Sequence, residues 1–170
     1  MGANVNGIDL QTVERITDGY RADPDSGRTP FSARVRWLGG YKTESELGHH
    51  ARVPGDEPRA LAGTDMGPSP EEMLLGAVGQ CLAVGYAGTA TARGMTIESL
   101  EIEVAGQVNL DAAYGVREGN PGFDRIAVRV HLESDAPREE LEAMHEQVVA
   151  RAPIPNTVAR PVEVDAQLAW

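Results

Sequence analysis

The sequence predicts an α+β domain, an antiparallel sheet packed on a long buried central helix and a second helix. Three observations predict it. Apolar and polar residues alternate at period two in Phe31–Trp37, Thr96–Val108, Phe123–Leu132 and Val162–Leu168, the pattern of half-buried strands. Between them, residues 69–93 form an apolar run opened by Ser69-Pro70 and followed by Gly94, which are helix start and stop signals. The order of strands, buried helix, strands, helix and strand suits an antiparallel sheet covered by helices.

The elements follow in chain order. Residues 1–30 read as a polar N-terminal extension with a short amphipathic helix over Asp9–Tyr20, and residues 31–170 as the main domain. Asp23-Pro24-Asp25-Ser26-Gly27 is a turn. Gly39-Gly40 turns the first strand into a weakly patterned partner over Tyr41–Val53, and residues 56–66 form a loop. In the central helix Ser69 is the N-cap, Pro70 takes the first helical position and Glu72 completes a capping box. Thr96–Val108 slips its alternation near Ala105, and residues 109–122 are loop-like. Arg138–Arg151 carries Leu141, Met144, Val148 and Val149 at helical spacing and is stopped by Pro153 and Pro155. Val162–Leu168 is the expected last strand.

Composition narrows the function. The chain has 170 residues, with 15 Lys plus Arg against 26 Asp plus Glu and a net charge of −11. Such a surface repels phosphate backbones and anionic lipid, so neither nucleic acid nor a membrane is expected as partner. Residues 1–20 lack a basic start followed by an apolar core, so no secretory signal is expected. The longest apolar stretch, Met73–Ala90, is interrupted by Gly76, Gly79, Gln80, Gly85 and Gly88 and reads as a core helix rather than a membrane span. The one cysteine, Cys81, excludes an internal disulfide and suits a reducing cytoplasm.

Glycine inside a helix costs about 0.5–1 kcal/mol relative to alanine unless close packing offsets it. The glycines of the central helix therefore predict close approach of another backbone. Because the helix is apolar on nearly all sides, one sheet cannot cover it. The expectation is a homodimer in which two central helices meet; the alternative is a chain that covers its own helix.

The candidate chemistry centres on Cys81. A small thiol in an apolar helix serves equally as a core side chain, and reactivity requires a positive neighbour. Glu71 and Glu72 already have a role as negative charge at a helix N-terminus. Within one helix Glu71 also stands about 15 Å from Cys81, at 1.5 Å rise per residue. His49-His50, placed on a strand, would point to opposite faces. With His131 and His145 far off in sequence, no metal-ligand spacing is present. The Gly-rich segments lack a nucleotide-binding context, no serine-nucleophile motif occurs, and no cofactor is implied.

Taken together, Gly67-Pro68-Ser69-Pro70-Glu71-Glu72, the apolar helix bearing Cys81, Ala92-Arg93-Gly94, Phe123-Asp124-Arg125-Ile126 and Asp135-Ala136-Pro137 resemble the OsmC/Ohr family of osmotically inducible and organic-hydroperoxide-resistance proteins. The resemblance covers roughly Phe31 to Trp170. It implies an intertwined homodimer and thiol-based reduction of hydroperoxides, in which a thiolate becomes a sulfenic acid and a second cysteine closes a disulfide. Cys81 matches the first cysteine. The turn that normally holds the second reads Ala152-Pro153-Ile154-Pro155, so Ala152 occupies the resolving position and an external thiol is the implied reductant. Glu71 matches a glutamate that helps orient an arginine beside the thiol. No arginine here matches that position clearly; Arg36 and Arg52 are the candidates. The rival expectation is a non-catalytic homodimer whose Cys81 and Tyr86 line an apolar ligand pocket between subunits. A third is an interaction protein without chemistry.

Overall fold

A computed structural model describes residues 4–170; the first three residues of the N-terminal extension lie outside it. The chain forms two compact units, residues 11–74 and the residues up to 10 together with 75–170.

In the first unit, α1 (Leu10–Ala22) precedes a three-stranded antiparallel sheet of β3 (Ala33–Gly39), β4 (Lys42–Leu47) and β5 (Val53–Gly55) in that order. The expected hairpin turn is made by Gly39 and Gly40, both at positive φ (105° and 60°), a region glycine enters without steric cost. The Trp37 indole N–H donates to the Gly40 carbonyl at 2.7 Å and pins that turn. The expected single partner strand is two strands, because Gly48 at φ 60° breaks it. His49 and His50 consequently lie in the break rather than on a strand, and their rings face each other at 4.5 Å between centroids.

The loop after β5 is built around Asp56, which is buried. Its carboxylate accepts the Thr64 hydroxyl at 2.5 Å and the backbone N–H groups of Glu57, Thr64 and Met66 at 2.8, 3.0 and 3.3 Å. Gly63 is obligatory there, since a Cβ would stand 1.7 Å from the Glu57 carbonyl oxygen. The loop delivers Ser69 to the start of α2 (Pro70–Ala92). There the capping box forms as expected: Glu72 accepts the Ser69 N–H at 2.8 Å, and the Glu72 N–H donates to the Ser69 hydroxyl at 3.3 Å.

The second unit packs the rest of α2 against a long hairpin, β6 (Ile97–Val108) with β7 (Phe123–Ser134), and against α4 (Arg138–Arg151). The α2 stripe Val78, Leu82, Tyr86 and Ala90 repeats every four residues. With Met95, Met144, Val148 and Ala152 it forms the core, and Leu100, Ile102, Val104, Val130 and Leu132 of the hairpin pack on it. Leu100 faces Leu132, Ile102 faces Val130 and Val104 faces Val128, so the period-two face reads straight into the core. The ladder shifts register between Gly106 and Val108, where the alternation slips. A Cβ on Gly106 would meet the Phe123 ring at 2.6 Å.

The end of α2 is a Schellman turn with Gly94 at φ 71°: Met95 N–H donates to Ala90 and Gly94 N–H to Thr91. A small hairpin absent from the sequence expectations, β1 (Asn4–Val5) with β2 (Ile8–Asp9), caps this end. From its turn, the Asn6 side chain donates to the Met95 carbonyl at 2.9 Å and accepts the Ile97 N–H at 2.8 Å.

Between β6 and β7 lies a single short helix, α3 (Leu110–Ala113), within the expected loop. As expected, α4 ends at Arg151, just ahead of Pro153. Pro153 then opens a further short helix, α5 (Pro153–Val158), because proline at the first helical position gives up an N–H that has no intrahelical partner. One further expectation is corrected. Val162–Leu168 is not a strand: residues 161–170 carry no regular structure and Val164 is 84% exposed. Alternation states which face would be apolar, but a strand exists only with a ladder partner. Among the described residues the strands form three antiparallel sheets, which together with the helices make the expected α+β fold.

The hydroxyl of Thr64, opposed by burial and helped by three backbone donors, holds the Asp56 carboxyl down from 3.8 to about 2. A depressed carboxyl contributes stability above its unfolded value and loses it as pH falls through the folded one. Asp56→Asn should therefore melt below the wild type at neutral pH, and the gap should close as pH drops from about 4 to about 2. A gap that stays constant across that range in thermal melts would show that the charge on Asp56 is not what holds the loop.

Candidate functional site

Residues of α2 at helical spacing, Ala77, Gln80, Cys81, Val84, Gly85 and Thr89, form one wall of a cavity of about 540 Å³. Gln147, Val148, Arg151 and Ala152 of α4 form the opposite wall, and Pro153 and Ile154 close one end. The walls approach closely because Gly85 carries no side chain: a Cβ there would stand 3.0 Å from a Val148 methyl. Gly79 gives the same kind of access to β6, 3.3 Å from a Val104 methyl. Gly76 and Gly88 meet nothing within 4 Å. Arg93 ties the helices further, through the Gln147 side chain and the Glu140 carbonyl.

Cys81 is half-buried and its sulfur borders this cavity. The Ile154 backbone N–H donates to Sγ at 3.5 Å. What holds that N–H in place is Asn156, whose side-chain amide donates to the carbonyls of Ala152 at 2.9 Å, Val149 at 3.1 Å and Ala150 at 3.4 Å. The last carbonyls of α4 are thereby satisfied where the chain turns into α5. A backbone donor thus lies at the sulfur, and Arg151 is among the residues lining the same cavity; a cation near a thiol is the kind of group that favours the thiolate.

Several sequence candidates lie elsewhere. Glu71 occupies the first turn of α2, which runs without a break to Ala92, so helix rise alone sets it about 15 Å from Cys81 along the axis. Its charge, after burial, helps push the Glu57 carboxyl up. Arg52 pairs with Glu44 at 2.7 Å, and Arg36 lies 3.9 Å from Glu44 and 3.6 Å from Glu46. Both arginines thus serve the three-stranded sheet. Tyr86 does not share the Cys81 cavity; it lines a second one, with no residue in common. Among the described residues no group of three or more His, Cys, Asp or Glu is placed to hold a metal ion.

The residues that sequence reasoning passed over are Arg151, Gln80 and Asn156. Arg151 was read only as the end of a helix. The available signal was its place immediately before Ala152, the position matched to the second cysteine.

Comparison with known proteins agrees with this architecture. The family profile described as OsmC-like protein matches residues 63–167, more than half of the chain. An OsmC-like protein from Mycoplasma pneumoniae superposes with a TM-score of 0.67 at 19% identity, covering 77% of this chain and 88% of that one. An organic hydroperoxide resistance protein from Legionella pneumophila gives 0.56 at 16% identity, with coverages of 77% and 91%. The organic hydroperoxide resistance protein OhrB of Bacillus subtilis gives 0.51 at 18%, with coverages of 75% and 90%. At these identities the superpositions speak for the fold. No curated protein matches the chain. The family profile and the shared fold together establish that the chain belongs to the OsmC/Ohr family.

Proposed function

We propose that this chain is a one-cysteine hydroperoxide reductase that depends on an external thiol and works as a cytoplasmic homodimer. The observation that carries the proposal is the half-buried Cys81 sulfur, at the edge of a cavity that also holds Arg151 and beside the Ile154 N–H. In the proposed cycle the Cys81 thiolate attacks the terminal oxygen of an organic hydroperoxide. The O–O bond breaks, the alkoxide leaves as an alcohol after taking a proton, and sulfur is oxidised to sulfenic acid. An external thiol then displaces water to give a mixed disulfide. A second external thiol releases Cys81 and leaves as the oxidised disulfide. The aliphatic lining, with Ala77, Val84, Val148 and Ile154, suits an alkyl group.

Arg151 takes the part of the cation in this reading, stabilising the charge that leaves with the alkoxide. Glu71 supplies helix-terminus charge within its own copy, and any role for it at the thiol requires a second copy of the chain. A second copy is also what the surface supports. Only five of the 23 residues of α2 are buried, Val84 is 73% exposed, and Gly76 and Gly88 have open space before them.

The rival reading, a non-catalytic binder of a small apolar ligand, is supported by the same lining. Trapping separates the two. With a stoichiometric organic hydroperoxide and dimedone, mass spectrometry should find one adduct on Cys81, lost in Cys81→Ser. In Arg151→Met it should form about tenfold more slowly, the effect of about 1.4 kcal/mol in the barrier. An unmodified thiol that also resists alkylation in the folded protein would leave only the binding reading.

Ala152 is buried and lines the cavity with Cys81. On this proposal Ala152→Cys restores an internal resolving thiol. One equivalent of peroxide should then yield an intrachain disulfide, seen as a product lighter by two hydrogens. A stable sulfenic acid in that variant would show that position 152 is not where the second sulfur belongs.

Sedimentation at micromolar concentration should give about twice the 18.2 kDa chain mass. A species of single-chain mass in the intact protein would end the dimer proposal.

A further inference from the structure

A second cavity, of about 790 Å³, lies on another side of the core. Its walls are Leu82 and Tyr86 of α2, Val128, Val130 and Leu132 of β7, and the α4 residues Leu141, His145 and Val149, with Pro155 at one end. The volume is in the range that small-molecule sites occupy. Within the apolar wall sits one built polar pair. Tyr86 is 1% exposed, and its hydroxyl is in hydrogen-bond contact with Nδ1 of His145, which is itself exposed.

Burial pushes the Tyr86 phenol up, so its hydroxyl keeps a proton to offer. With that proton directed to Nδ1 of His145, the ring hydrogen is on Nε2. That leaves one N–H donor on a side chain lining an apolar cavity. The charged groups at the cavity are Arg138, Glu142 and Glu146. Arg138 and Glu142 neutralise each other at 2.8 Å, so Glu146 leaves the site with a negative balance. An anionic ligand is repelled by that charge and by the net −11 of the chain.

We infer that this cavity is a second binding site, separate from Cys81, for a neutral molecule with an apolar body and one hydrogen-bond-accepting oxygen, such as a ketone, ester or amide. The aliphatic wall takes the body, and His145 Nε2–H donates to the oxygen. Tyr86 is a positioning residue, acting by fixing the His145 tautomer. The inference is independent of peroxide chemistry: the two cavities share no residue.

The test uses the full chain and prodan, a neutral naphthyl ketone whose emission moves to the blue in an apolar site. One prodan per chain should bind, and it should still bind after Cys81 is blocked with a bulky maleimide. Val149→Trp and, independently, Val128→Trp should abolish binding by filling the cavity; both positions are partly exposed and tolerate size (43% and 40%). His145→Ala should weaken binding about tenfold, roughly the worth of one hydrogen bond. The imidazole nitrogen shifts of His145 should report a single Nε2–H tautomer in the wild type and a mixture in Tyr86→Phe. Absence of prodan binding overturns the inference. So does binding that disappears on Cys81 blockade while surviving Val149→Trp and Val128→Trp, or unchanged affinity in His145→Ala.

Discussion

The fit between α2 and α4 is the constraint on which the rest of the second unit depends. Gly85 lets a Val148 methyl approach to 3.0 Å from where a Cβ would stand, and Met144, Val148 and Ala152 close on the stripe of Val78, Leu82, Tyr86 and Ala90. That contact sets where α4 ends, and the end of α4 sets where the Ile154 N–H meets the sulfur and where Arg151 joins the cavity lining. A larger residue at 85 would separate the helices, and the thiol would lose its donor before losing its fold. Replacing Val148 with alanine would instead open space in the core, at about 1–3 kcal/mol by the usual cost of deleted methyl groups.

Seen from this contact, the glycines of α2 fall into two classes. Gly79 and Gly85 are accounted for within one copy, by Val104 of the hairpin and Val148 of α4. Gly76 and Gly88 are not, and with exposed Val84 they mark helix surface that this chain leaves uncovered. By length and composition α2 could cross a membrane. Its capping box, its Schellman end and its core stripe are nonetheless all satisfied by side chains and backbone of the same chain. An apolar helix with one face inside a folded unit and another face bare supports the proposed homodimer.

Much of the fold was legible because it rests on local chemistry. Ser69, Pro70, Glu72 and Gly94 state the limits of α2 by capping alone, and Ile102, Val104, Val130 and Leu132 state the inner face of the hairpin by alternation. What failed depended on partners that local pattern does not name. Val162–Leu168 alternates correctly yet finds no ladder within the chain. Pro153 stops α4 where its position says it should; that it also opens α5 is more than a stop signal states. The site divided along the same line. Cys81 and the missing sulfur at Ala152 could be read from single positions. Arg151, Asn156 and the Ile154 N–H acquire meaning only when the α4–α5 turn folds back over α2, and no spacing in the sequence records that distance.

A cavity that must serve one cysteine differs in its demands from one that serves two. With an internal second sulfur, the oxidised enzyme needs only a short movement of its own chain, at high effective concentration. With alanine at 152, the proposed cycle needs two external thiols to enter from solvent and reach a half-buried sulfur, and one disulfide to leave, in each turnover. Alanine meets the steric part of that demand: it removes a sulfur from the wall facing Cys81 without introducing a larger group. The acidic surface adds an electrostatic condition. At a net charge of −11, a polyanionic thiol would be slowed on approach and a neutral one would not. In the proposed cycle the second half-reaction therefore discriminates among reductants by charge, with Arg151 the positive group among the residues that line the cavity.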